Sequence, residues 1–461
     1  MSSVSHIPFR VQPVAAAVLA GLLASCGGGG GSPTPTPSQP ANTAPQFTSG
    51  TTATVAENST GTVYTATGTD ADGDALSFTI SGGADATAFT LAGGALSFVS
   101  SPNYDRFADA GRNNVYEVTL RVADGRGGTA TRTVNVTVTN DREGIAVTRV
   151  ATGLGDAVSF SLLFGSVFAV AESDGTVSYL DANTGVRTPF VDLALPAGSS
   201  VLDIASDSIG GVPLPPVVMV REPNAISLRS GITSGTPTRI ELASGPPGDA
   251  KGKLVLSRQV PGLVHAAVGD PGGDRAQGST GYGKLFEVVL GAGGSVNQAG
   301  KGIRQPGGWA LLGNDLVFAD RGGSREHELD FFFDSSTASA NLGWPFFEGT
   351  VELRAGAPAG LEAPDFTYAF GDGPLSGTGV VMGALYQGVI ASLNQHIVFA
   401  DSSGKIWSIR FNLPSGGFEN RTADFAPDAG TIDEILKIVL DQGGRVHILD
   451  ADGELFRVDP A

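Results

Sequence analysis

The sequence predicts an all-β protein, a Greek-key β-sandwich followed by a six-bladed β-propeller, and three observations carry that expectation. Gly accounts for 66 of 461 residues and charged residues for only 16%, a composition that favours strands joined by tight turns. Two-residue alternation runs cleanly through 116–122 (YEVTLRV) and 131–138 (TRTVNVTV), with a GRGG turn between them. Beyond Gly144 one hairpin pattern recurs along the chain.

The N-terminus comes before any fold. Residues 15–23 form an apolar run behind Arg10, shorter than the about 20 residues of a membrane-spanning helix, and residues 1–25 therefore read as a signal peptide. Leu23-Ala24-Ser25-Cys26 resembles the bacterial lipobox, and Cys26 is the only cysteine in the chain. That resemblance implies lipidation at Cys26 and a cell-envelope location held by the bilayer. Gly27 rather than Asp after the cysteine is compatible with an outer membrane, facing the periplasm or the exterior. Residues 26–44, with a glycine run and alternating prolines, read as a tether. A formal charge of -18 argues against nucleic-acid partners, whose phosphates it would repel.

Residues 45–143 carry short alternating strands over the length of a sandwich domain. Asp70, Asp72 and Asp74 place carboxylates at alternate positions of one turn, and a Ca²⁺ ion takes about six to eight such oxygens. The bland alternative is that Asp and Gly simply build the turn. Read with Glu57-Asn58, Asn103-Tyr104-Asp105, Ala123-Asp124-Gly125 and Asn140-Asp141, the segment resembles a cadherin domain. The resemblance implies Glu57, Asp70, Asp72, Asp105, Asp124, Asn140 and Asp141 as calcium ligands. Asp74 joins them on chemistry alone.

Residues 144–461 carry the repeat. It spans 167–179, 217–228, 264–288, 317–331, 397–409 and 446–458, mostly about 50 residues apart, as in a propeller. Between and beside these copies lie a Gly269-Asp270 turn, Gly283-Lys284-Leu285, Gly302-Ile303-Arg304-Gln305-Pro306 and the loop NLGWPFFEG at 341–349. In that order they resemble the glucose/sorbosone dehydrogenase family, six-bladed propellers that oxidise aldoses with pyrroloquinoline quinone (PQQ) and calcium. The resemblance implies cofactor contacts at Arg304, Gln305 and Trp344, with Asp249 at the position of the family's catalytic His. Trp344, Phe346 and Phe347 are expected either to wall that site or to pack the long insertion onto its blade. His265, flanked by apolar strand residues, reads as a packed strand position, and His327 as part of a solvated turn.

Two functions stay open at this stage. One is a calcium-binding envelope protein that acts in adhesion or ligand recognition, with carbohydrate or another surface protein as partner. The other is a PQQ- and calcium-dependent aldose or sorbosone dehydrogenase. The absence of Lys and Arg from 355–404 favours the first, because PQQ carries three carboxylates.

Overall fold

A computed structural model describes residues 41–461 apart from 207, 210–211, 233–236, 258–259, 273–274, 292–293, 314, 334–338 and 412–417. The expected signal peptide, the lipidation at Cys26 and the tether up to residue 40 lie outside the described residues.

Alternation builds the sandwich as the sequence implies. Val115–Ala123 and Thr129–Thr139 pair antiparallel, and every second residue (Tyr116, Val118, Leu120, Val122, then Val134, Val136, Val138) is buried in one core. Thr52–Ala56 adds in parallel to one edge and Ser77–Gly82 antiparallel to the other. Thr62–Thr65, Ala95–Phe98 and Phe89–Ala92 form the facing sheet. Phe89, Phe98 and Tyr116 meet between the sheets in tilted and edge-on contacts.

The remainder is a ring of six blades, each of four strands except the third, to which Ala340–Asn341 adds a fifth. Their inner strands are Ala157–Phe164, Ser200–Ala205, Gly252–Leu256, Pro306–Leu312, Val380–Tyr386 and Ile435–Leu440, each beside the next and the last beside the first. Every hairpin found in the sequence forms the second and third strands of one blade, from Val167–Glu172 with Thr176–Asp181 to Val446–Asp450 with Leu455–Pro460. Each pair of neighbouring blades shares one hydrophobic cluster, so the core is a ring of interblade layers. Trp407 and Phe399 are fully buried in the layer between the fourth and fifth blades.

Closure uses both ends of the domain. Ile145–Ala151, the first strand after the sandwich, becomes the outer strand of the sixth blade by pairing with Leu455–Pro460. Beginning and end of the propeller thus share one sheet, and no blade edge is left to zip open from the terminus.

A second lock crosses the centre. Lys437 on the innermost strand of the sixth blade donates to Asp203 Oδ1 (2.7 Å), Ser159 Oγ (3.0 Å) and the Ile204 carbonyl (2.8 Å). Asp203 also accepts from Ser159 Oγ and from the Leu254 N–H at 2.7 Å. This buried carboxylate of the second blade therefore touches the first, third and sixth. Burial pushes its carboxyl up, but the Lys437 and Lys253 charges and the hydrogen bonds outweigh that and hold it below its ordinary value.

Candidate functional site

Strand alternation brings four groups of loops to one end of the ring: 245–251, the described parts of the connection after Val268 (269–272 and 275–283), 302–305 and 321–325. Ala340–Asn341 runs up beside the outer strand of the third blade in parallel and delivers the NLGWPFFEG loop to the same end. The loop rests on Gly302, whose carbonyl accepts the Trp344 N–H at 3.0 Å. Gly302 has φ +81°, and a Cβ there would stand 2.5 Å from Asn341 Oδ1 and 2.7 Å from the Gly343 nitrogen. Only glycine lets the two backbones approach this closely.

Trp344 is half-buried, and all of its polar atoms are used. Its indole N–H donates to Asp270 Oδ2 at 3.1 Å, and its carbonyl accepts from Gln277 Nε2 at 2.8 Å. The Arg304 guanidinium lies 5.5 Å from the ring centre in a cation–π contact. Arg304 also donates to the Arg321 carbonyl at 3.1 Å and stands 3.8 Å from Glu348. Gln305 reaches Asp249 at 3.5 Å, and Asp249 is exposed. The structure thus brings together Asp249, Arg304, Gln305 and Trp344, the residues singled out in the sequence.

The end of the motif explains its composition. Glu348, 6% exposed, accepts the backbone N–H groups of Gly323 (2.7 Å), Ser324 (3.1 Å) and Arg325 (2.8 Å), and so shapes the neighbouring loop of the fourth blade. Phe346 lies under Arg354 at 4.5 Å. Glu348 holds the end of the motif to the fourth blade, while Trp344 and Phe347 both line the crevice beneath the loop.

Beneath this loop lies an acidic layer that sequence reasoning missed. Asp320 ends one strand of the fourth blade, and Glu328 and Asp330 alternate on the next, with Asp320 paired opposite Glu328. All three are nearly inaccessible. Burial pushes Asp320 up to about 7, although the Arg304 and Gln305 N–H groups pull it down. Burial, then repulsion by neighbouring acids (Asp330 and Asp320 for Glu328, Asp320 and Asp365 for Asp330), raises these two as well. The signal was legible as acids at every second residue of EHELD, a strand face rather than a turn. His327 in that stretch is a correction to the sequence reading. It is buried, with Nδ1 accepting from the Gly322 N–H at 3.2 Å and its ring stacked on Tyr368 and Phe370. His265 is buried as expected, and burial depresses its imidazole to about 4.

The crevice beside Trp344 is too small to hold PQQ. The cleft bounded by Arg304, Asp320, Glu328, Trp344, Phe347 and Glu348 has a volume of ≈ 10 Å³, room for about one water, whereas cofactor pockets hold about 300–1,000 Å³. Two arginines, Arg304 and Arg321, line it; Arg304 is already engaged with Trp344 and the Arg321 carbonyl, and the groups below it are buried carboxylic acids.

The acids expected to bind calcium divide between the two ends of the sandwich. Asp70, Asp72 and Asp74 each offer an oxygen within 4.8 Å of the others. Asp70 Oδ1 accepts the N–H of Asp72 (2.8 Å) and Asp74 (3.3 Å), while Asp70 Oδ2 is buried without a partner. Asp74 also pairs with Arg126 at 3.1 Å. Asp124 accepts from Asn42, Arg126 and Gly128, which uses both its oxygens. At the other end, Glu57 accepts from Tyr104 and Asp141 backbone N–H groups. Asp105 is completely buried there, and Asn140 and Asp141 cap the turn over 142–143.

Comparison with known proteins separates the same two parts. Residues 42–137 match the family model of a bacterial Ig domain. No curated protein matches the chain. Among solved structures, the soluble aldose sugar dehydrogenase of Escherichia coli in its apo-form aligns at 15% identity and a TM-score of 0.52, over 69% of this chain and 100% of that one. A glucose dehydrogenase aligns at 17% identity and a TM-score of 0.54, over 68% of this chain and 100% of that one. At such identities the likeness is one of fold. The chain therefore combines an Ig-type sandwich with a propeller of sugar-dehydrogenase fold.

Proposed function

We propose that this is an envelope-anchored, calcium-binding recognition protein: a lipidated tether carries a cadherin-like sandwich, and the propeller acts as a platform for adhesion or for a carbohydrate ligand. The observation that carries the reading is the loop-lined end of the propeller. Fold and motif order follow the sugar dehydrogenases, yet Arg304 is committed to Trp344 and Arg321, the cleft is filled, and buried acids lie beneath it. An exposed carboxylate, Asp249, stands where the resemblance would put a catalytic base. Such an end suits shallow contact with a neutral polar ligand better than enclosure of an anionic quinone.

Calcium belongs to this reading at the turn of Asp70, Asp72 and Asp74, where oxygens converge and one buried oxygen lacks a donor. Asp72→Ala is expected to weaken calcium binding by roughly ten-fold or more and to abolish any calcium-dependent rise in the melting temperature of the sandwich. Isothermal titration of the full chain checks this, and an unchanged affinity would remove the ion from that turn. The recognition role is tested on a glycan array with and without calcium. Binding lost on Trp344→Ala supports the platform, and an array blank in both conditions counts against carbohydrate.

The second reading is a PQQ- and calcium-dependent aldose or sorbosone dehydrogenase, favoured by the shared propeller fold and by the meeting of Arg304, Gln305 and Trp344 at one end. It requires dye reduction by aldoses on addition of PQQ.

A further inference from the structure

We propose that the sandwich end facing the propeller carries its cation as a side chain: the Arg421 guanidinium occupies the carboxylate cluster at the junction and locks the two domains together without an added ion. Oxygens of Glu57, Asp105 and Glu143, all from the sandwich and its exit, lie within 4.8 Å of one another, a spacing that a cation could bridge. Arg421 reaches this cluster from the propeller, immediately after the outer strand Glu419–Asn420 of the fifth blade. Its side chain is 3% exposed. Nη1 stands 2.6 Å from Asp105 Oδ2, contacts Glu143 and lies 3.2 Å from Asp424, while Nη2 contacts Glu419 and Nε donates to Ser408 Oγ at 3.2 Å. Two of these carboxylates belong to the sandwich side and two to the propeller, so one guanidinium joins both.

The geometry favours a guanidinium over a bound ion as the resident charge. Arg is always protonated and its planar fork reaches several carboxylates at once, which a buried acidic cluster needs in order to persist. Secondary contacts align the two bodies around it. Arg106 pairs with Glu419 at 2.9 Å, Arg142 donates to the Asp424 and Ala426 carbonyls, and Ser392 donates to the Glu143 carbonyl at 3.0 Å. Asn58 donates to Glu143 Oε1 at 3.1 Å. Asp105 Oδ1 and Asp424 Oδ1 remain buried without partners, so the cluster holds more acid than its arginine saturates. A chelator can strip a bound metal but not a side chain. The junction should therefore keep its geometry whether calcium is present or not, and the sandwich should point in a fixed direction from the ring.

The test uses the full chain carrying Asp70→Asn and Asp72→Asn, which silences the opposite end of the sandwich. With Arg421 intact, the melting temperature and the rate of protease cleavage within 139–146 should be the same in EDTA and in millimolar calcium. Adding Arg421→Ala should lower the melting temperature in EDTA and create a calcium-dependent recovery that Asp105→Asn abolishes. Calcium stabilisation of the Arg421-containing protein that disappears with Asp105→Asn would overturn the proposal, because the junction would then hold an ion. Failure of calcium to recover Arg421→Ala would overturn it too, since the cluster would not be a cation site. If Arg421→Ala does not fold, the cleavage comparison on the Arg421-containing protein still decides between a calcium-indifferent joint and an ion-held one.

Discussion

Asp203→Ala is expected to destabilise the propeller by about 3–5 kcal/mol, the cost of leaving a buried charge without its partner. Asp203 is fully buried, and its two oxygens serve Ser159, the Leu254 N–H and Lys437. Its removal strands the Lys437 ammonium among the inner strands, with Ser159 and the Ile204 carbonyl as its remaining acceptors. Lys437→Met should cost less, because Asp203 keeps the Ser159 and Leu254 donors. The double variant should cost less than the sum of the two, since each single change already breaks the shared contact. Because the folded carboxyl titrates below its ordinary value, the contribution is complete at neutral pH and is lost as pH falls through that depressed value. Denaturant midpoints of the three variants check this. A loss under 1 kcal/mol for Asp203→Ala would mean that ring closure rests on the strand pairing of Ile145–Ala151 alone.

Glu348→Ala is expected to cost about 3 kcal/mol and to loosen the loop over 321–325. Three backbone N–H groups lose a charged acceptor at once, each such bond worth about 1 kcal/mol or more. Arg304 loses a nearby counter-charge as well. Glu348→Gln keeps one acceptor oxygen and should fall between wild type and Ala. Amide hydrogen exchange locates the effect: faster exchange at 323–325 is expected, with the blade core unchanged. Unaltered exchange there would show that solvent substitutes for the carboxylate and that the last residues of NLGWPFFEG are not what shapes the loop.

The blades were legible because the second and third strands of each are joined by a short turn, so the repeat is local in sequence. What closes the ring was not. Ile145–Ala151 is a lone strand whose partner lies at the far end of the domain, and Lys437 meets Asp203 across 234 residues. Nothing in a local pattern reports such pairings. At the candidate site, Arg304, Gln305, Trp344 and Asp249 were found because their motif order carried them. Asp320, Glu328 and Asp330 were missed because acids on a strand read as a turn until their two-residue spacing is weighed. Arg421 was missed for another reason. The acids around it suggested an ion, and the sequence gives no sign of which distant cation faces them.

The most direct test of the account is PQQ binding by the full chain in the presence of calcium, followed by melting temperature and dye reduction over a panel of aldoses. Stabilisation by calcium that depends on Asp70 and Asp72 is expected, with no further shift on adding PQQ and no turnover. A PQQ-dependent rise in melting temperature accompanied by aldose oxidation would contradict it, and would mean that the filled cleft beside Trp344 opens to a cofactor.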